Sequence, residues 1–253
     1  MTVHPAAAAG FGAGADAYER GRPSYPAAAV ELLAAELGIG PGTVVVDLGA
    51  GTGKWSRLLV ARGARVVAVE PVPAMREALA AAVPGIEVLD APAEAVPLPS
   101  GSADVVTAAQ AFHWFDPGPA LAEVARLVRP GGGVGLVWNE RDGTVAWVAQ
   151  LNRVMRGPRS GVPAYEEHVD WAGLVAADGH FTALRHRVVP NEQELDEPTL
   201  MDRVASVSYV AALPDDRRAA VLGEVRELVR GFPSRFTLPY RTDVFWCHRT
   251  STP

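Results

Sequence analysis

Val44-Val45-Val46-Asp47-Leu48-Gly49-Ala50-Gly51-Thr52-Gly53 is the stretch on which the reading of this chain turns. A short β-branched apolar run closed by an acid reads as a strand buried on both faces, and such strands belong to parallel sheets. The glycines let the backbone pass close to a ligand, and Lys54-Trp55-Ser56-Arg57-Leu58-Leu59 then reads as a helix whose first N–H groups face it. Spacing separates the cofactors that use such turns. A dinucleotide turn needs G-x-G-x-x-G, and its last position is Lys54 here; a P-loop needs Ser or Thr after Gly-Lys, where Trp55 stands. What remains is D-x-G-x-G-x-G.

Outward from this turn the chain repeats strand, turn and helix. Residues 24–38 place Pro26 near a first helical turn, Val30, Leu33 and Leu37 at helical spacing, and Gly38 just past the end. After the turn, RVVAVE ending at Glu70 is a second buried strand, a helix opens at Pro73, and IEVLD is a third strand. ADVVTAAQ ending at Gln110 is a fourth, GPALAEVARLVRPGG a helix stopped by Pro-Gly, and GVGLVWN ending at Asn139 a fifth. Strands alternating with helices predict right-handed crossovers and a parallel sheet covered on both faces. The second half predicts helices at TVAWVAQLNRVM, DWAGLVAADG, PTLMDRVASVSYVAAL and PDDRRAAVLGEVRELVRG, with strands at FTALRHRVVP and YRTDVFWCHRT. Residues 1–17 are small and aperiodic and are expected to be mobile, as is the GPRSGVP loop.

The 253 residues are 49% hydrophobic and 21% charged, ordinary for a globular chain and enough for a sizeable core. Gly (25) and Pro (21) are in surplus, which asks for many turns. A net charge of -6 gives little drive toward phosphate backbones or anionic membranes, so nucleic acid and membrane partners are not expected. The single Cys247 excludes an intrachain disulfide and a cysteine metal cluster, and scattered His168, His180, His186 and His248 show no ligand spacing, so no metal is expected. With no signal segment and no long apolar window, a cytoplasmic location is expected.

Asp47-x-Gly49-x-Gly51-x-Gly53, with an acid ending the next strand, resembles the class I S-adenosylmethionine-dependent methyltransferases. The resemblance implies a Rossmann-like, doubly wound, mostly parallel seven-stranded sheet whose last strand is antiparallel, with extra helices covering the substrate site. It assigns residues 24–139 to the cofactor core and 140–253 to sheet completion and the helical cover, in one domain. It implies that Asp47, Gly49, Ala50, Gly51 and Gly53 hold the methionine part and that Glu70 accepts the ribose hydroxyls, as an acceptor-only carboxylate can. Ala91-Pro92-Ala93-Glu94 aligns with the segment that holds adenine, but Pro92 stands where most members have Asp, which leaves Ala93 or Glu94 for that contact. Gln110, Tyr18 and Arg22 complete the expected cofactor contacts, and S-adenosylhomocysteine is the expected co-product.

The segment Ala111-Phe112-His113-Trp114-Phe115-Asp116 follows the fourth strand, where acceptors bind in open parallel sheets. Together with Tyr18-Glu19-Arg20-Gly21-Arg22-Pro23-Ser24-Tyr25-Pro26 it resembles the trans-aconitate methyltransferase-like branch, whose members esterify carboxylates or act on other small metabolites. Phe112, His113, Trp114 and Arg141 are the acceptor-side candidates. His113 is either a base for an N–H or O–H acceptor or a ring that orients its loop; Phe112 and Phe115 read more as core than as contacts. Arg20, Arg22 and Arg141 are candidate anion clamps, whereas Lys54 reads as a solvated first-turn residue. A small-molecule methyltransferase, monomeric or homodimeric, is expected, with carboxylate O-methylation ahead of N-, O- or C-methylation in secondary metabolism. A nicotinamide-dependent oxidoreductase and a non-catalytic cofactor binder are the competing readings.

Overall fold

The computed structural model describes residues 19, 21–156 and 170–250. Residues 1–17 and the GPRSGVP loop, both expected to be mobile, fall outside them, as do Tyr18, Arg20 and His168. The buried apolar runs become β1 (Val44–Leu48), β2 (Arg65–Val69), β3 (Glu87–Leu89), β4 (Ala103–Ala109) and β5 (Val128–Arg141). Between and before them run α1 (Ala27–Leu37), α2 (Ser56–Ala61), α3 (Pro73–Ala82) and α4 (Pro117–Leu127). The rest is α5 (Ala146–Arg156), α6 (Trp171–Asp178), β6 (Arg185–Leu195), α7 (Glu197–Ala205), α8 (Ser208–Ala211), α9 (Asp215–Leu228) and β7 (Phe236–His248).

The sheet order is β3-β2-β1-β4-β5-β7-β6. Every pair from β3 to β5 is parallel, and β7 runs antiparallel to both β5 and β6, so the expected doubly wound sheet with an antiparallel last strand is what forms. One face packs β-strand residues such as Val106, Leu136 and Trp138 against Leu121 and Val124 of α4 and Trp171 of α6. The other packs Val45, Val105 and Val137 against Leu33 of α1 and Leu59 of α2. A third cluster joins α5, α7, α8 and α9 over the ends of β6 and β7, with Leu151, Leu200, Val225 and Leu238 at its centre.

Three boundaries differ from the sequence reading. α4 ends at Leu127 and β5 begins at once, because Pro130 cannot extend a helix and biases Arg129 toward extended backbone. Gly131 N then donates to Arg249 O, and Arg249 N to Gly132 O, which fixes the Pro-Gly segment beside the end of β7. β6 continues through Pro190 to Leu195 as an edge strand paired only with β7, where a missing N–H is tolerated. The expected helix over 198–213 breaks at Ser206, whose hydroxyl donates to Arg203 O at 2.9 Å and competes with helix continuation.

Candidate cofactor and acceptor site

A cleft lies at the carboxyl edge of β1, β2, β4 and β5, and the glycine turn forms its floor. Asp47 at the end of β1 is fully buried, with Oδ2 accepting Ser56 Oγ at 2.6 Å and Oδ1 accepting Thr107 Oγ1 at 3.1 Å. Burial outweighs both bonds and pushes its pKa up to about 7. Gly49 N and Ala50 N donate to Val69 O, so the turn is tied to the end of β2. Gly49 has φ +64°, and a Cβ there would stand 2.6 Å from the Ala111 Cβ, which closes the position to other residues. Gly51 also has positive φ but meets nothing within 4 Å, leaving backbone open to a ligand. Gly53 packs toward Leu79 of α3 and is not on the cleft wall.

Glu70, 6% exposed, accepts Gly51 N at Oε2 and Val72 N at Oε1, each at 2.9 Å. Burial raises its pKa while the two N–H groups hold it down. Each oxygen retains a lone pair, so hydroxyls from the cleft can still be accepted. Arg76 donates to Glu70 O and pairs in a fork with Asp90, steadying this rim from outside. Pro92, Ala93 and Glu94 line the next stretch of wall, and Glu94 Oε1 accepts Asp116 N at 2.9 Å, linking that wall to the start of α4. Gln110 closes β4 with φ +56° and donates Nε2 to Asn139 O at 2.9 Å.

The acceptor-side candidates divide. Trp114 and Phe115 line the cleft. Phe112 does not: it is 2% exposed and edge-packed on Phe115 and Trp171, so its role is core packing. Arg141 sends Nε to Asn152 Oδ1 at 2.5 Å and braces α5 instead of reaching the cleft. His113 is also off the wall; its Nδ1 accepts Trp138 Nε1–H at 3.2 Å. Indole can only donate, so that bond leaves the ring proton on Nε2.

Lys54 corrects the expectation of a solvated side chain. It lines the cleft at 15% side-chain exposure, donates to Glu19 O at 2.7 Å and lies 3.4 Å from Glu19 Oε1. Glu19 also takes Arg57 at 2.7 Å and Thr52 Oγ1 at 2.7 Å, and these partners hold its carboxyl below the usual range against the opposing effect of burial. Residues 21–26 form a strap at the cleft, with Arg22, Pro23 and Tyr25 on its wall. Asn139 Nδ2 and Asn191 Nδ2 both donate to Ser24 O, Gln193 Nε2 donates to Gly21 O, and Thr242 Oγ1 closes onto Asn139 Oδ1. Tyr25 packs edge-on against Trp55, and Arg22 lines the cleft with its NH2 near Ser206 O. Sequence reasoning missed Asn139, Asn191, Gln193 and Thr242 as strap anchors; an Asn closing an otherwise apolar buried strand was the available signal.

A buried acid at the end of β1, a glycine turn and a second acid after β2, all at the carboxyl edge of this sheet, define an α/β enzyme built for an adenosine-bearing cofactor. A methyltransferase domain model matches residues 46–135. A methyltransferase of Mycobacterium bovis, itself uncharacterised, is 41% identical over 239 residues, covering 92% of both chains. A malonyl-[acyl-carrier protein] O-methyltransferase of Serratia marcescens is 29% identical, covering 89% of this chain and 91% of its own. Among solved structures, a type II methyltransferase from Anaeromyxobacter dehalogenans is 29% identical with a TM-score of 0.65, covering 90% of this chain and 97% of its own. The chain belongs to the S-adenosylmethionine-dependent methyltransferases. Among the described residues, no helix is long and apolar enough to cross a membrane.

Proposed function

We propose that the protein methylates a carboxylate oxygen of a small acid, giving a methyl ester and S-adenosylhomocysteine. The observation that carries this reading is the absence of a general base on the acceptor side among the described residues. The acids on the cleft wall, Asp47, Glu70 and Glu94, all stand on the cofactor side, and His113 has its Nδ1 engaged by Trp138. A carboxylate is ionised at neutral pH and asks for no base, whereas an alcohol or amine would. Arg22, a cation on the wall, suits an anion. The malonyl-[acyl-carrier protein] O-methyltransferase relative and the resemblance to the trans-aconitate methyltransferase-like branch support the same class.

In this reading Asp47, Gly49, Ala50 and Gly51 hold the amino-acid end of the cofactor, Glu70 its ribose, and Ala93 with Glu94 its base, while Gln110 and Arg22 close the far side. When bound, S-adenosylmethionine supplies an activated methyl carbon that a carboxylate oxygen takes while sulfur keeps the bonding pair, so no proton moves. Trp114, Phe115 and Tyr25 line the cleft, where they exclude water and offer aromatic rings that suit a cationic centre. The chain acts as one domain on a free metabolite, as monomer or homodimer. Incubation of the protein with methyl-labelled cofactor and a panel of aliphatic acids tests this: the expected product releases its label as methanol in mild alkali. A product that keeps its label in alkali sinks the reading.

A further inference from the structure

Gln110 follows β4 on the cleft wall, and among the described residues it is the one non-glycine residue at positive φ, +56°. A left-handed backbone crowds the Cβ of an ordinary side chain, so Gln is a poor fit there on conformational grounds. Two bonds to β5 impose it: Gln110 N donates to Val137 O at 2.8 Å, and Nε2 donates to Asn139 O at 2.9 Å. Strain held in this way by its surroundings gathers at ligand sites. The second bond also orients the amide. Asn139 O is a carbonyl and can only accept, so the amide nitrogen and not its oxygen faces β5. That uses one Nε2 hydrogen; no hydrogen bond to a described residue occupies the other or Oε1. The sheet order says which ligand is near. β4 and β5 lie on the side of β1 away from β2, so Gln110 and Asn139 stand at the opposite end of the cleft from Glu70. Trp114 and Arg22 line the cleft with them, and Asn139 holds the strap at Ser24 O.

We propose that Gln110 donates its second amide hydrogen to the acceptor carboxylate, giving direction to an acid whose charge is met by Arg22 on the same wall. The inference rests on the carboxylate reading above and names the residue that orients the acid. A Gln110 that only braced Asn139 and the strap would be replaced equally badly by any residue unable to donate, whatever its charge. A ligand contact responds to charge. Gln110→Glu keeps the length of the side chain but cannot donate when ionised; it sets a carboxylate against an acid and offers an acceptor to the N–H groups of an amide.

Calorimetric titration of malonate, succinate and hexanoate, and of their amides, into the full chain saturated with S-adenosylhomocysteine tests this directly. The wild-type protein is expected to prefer the acids. Gln110→Met should lose acid affinity at least tenfold with S-adenosylhomocysteine affinity unchanged, and Gln110→Glu should lose more and prefer the amides. Gln110→Asn, a residue at home in the left-handed backbone, should fold and still lose acid affinity because its amide is one carbon shorter; it decides the matter if Gln110→Met fails to fold. Equal acid affinity in wild type and these variants overturns the assignment. So does a Gln110→Glu variant whose ratio of acid to amide affinity matches that of Gln110→Met, since that is the behaviour of a brace. Acid binding that depends on Gln110 without ester formation would retain the contact and remove ester formation. A wild-type protein that binds amides as well as acids, or neither, removes the carboxylate reading and the contact together.

Discussion

Asp47 is cut off from water, and hydroxyl bonds from Ser56 and Thr107 do not offset the cost of charging it, so its carboxyl titrates near 7 instead of near 3.8. Between those values the folded chain binds a proton that the unfolded chain does not. This group's contribution to stability therefore falls as pH rises from about 4 to 7. A cofactor bearing a cationic amino group favours the carboxylate, so binding below pH 7 must expel that proton. Cofactor affinity should then weaken by up to about tenfold per pH unit below 7, and Asp47→Asn should abolish the dependence. Titrations between pH 5.5 and 8 check this, and a flat wild-type profile would remove Asp47 from the cofactor site. Glu70 makes a simpler case: Glu70→Ala should weaken cofactor binding by about 1–3 kcal/mol, the usual cost of losing hydrogen bonds to a charged acceptor. Unchanged affinity in the variant would show that ribose is held elsewhere.

At the scale of elements, the strap over 21–26 depends on polar side chains contributed by β5, β6 and β7 and on tight contact with α7. Gly21→Ala would drive a methyl group into the α7 backbone, so the strap must lift. The expected result is a destabilisation of about 1–3 kcal/mol together with weaker cofactor binding, read by thermal denaturation and titration of the same variant. Loss of stability with intact cofactor affinity would mean that the strap is packing alone. Elements of this kind explain what the sequence left hidden. The succession of strands and helices and the glycine turn were legible because β-branched runs, Pro starts and Gly stops act locally, as at Val44–Leu48 and Pro73. The strap anchors were not, because Ser24 meets Asn139 and Asn191 across more than a hundred residues. Lys54 misled for the same reason: its partner Glu19 lies 35 residues away in a segment without periodicity.

Across the whole molecule, the cofactor half was readable from pattern and resemblance, whereas the acceptor side depended on which way Phe112, His113 and Arg141 turned. Trp138 and Asn152 decided two of those directions, and neither bond follows from spacing. Global stability has its own reporter in Cys247, 2% exposed on β7, whose thiol burial pushes up to about 12 with a smaller contribution from Asp178. Its labelling by a thiol reagent at pH 8 should be limited by unfolding and slowed by added cofactor, as mass spectrometry over time can follow. Labelling at the rate of a free thiol would mean that β7 opens locally. The position of β7 matters beyond that reporter. It is the last strand in the chain, yet it lies between β5 and β6 and pairs with both. While the chain is still being synthesised, β5 therefore presents a bare hydrogen-bonding edge, and β6 has no neighbour, until residues 236–248 emerge from the ribosome. Nascent chains stopped before Phe236 should be degraded by protease and held by chaperones, and release into the native state should coincide with arrival of this one strand, making folding a late, single-step event in translation.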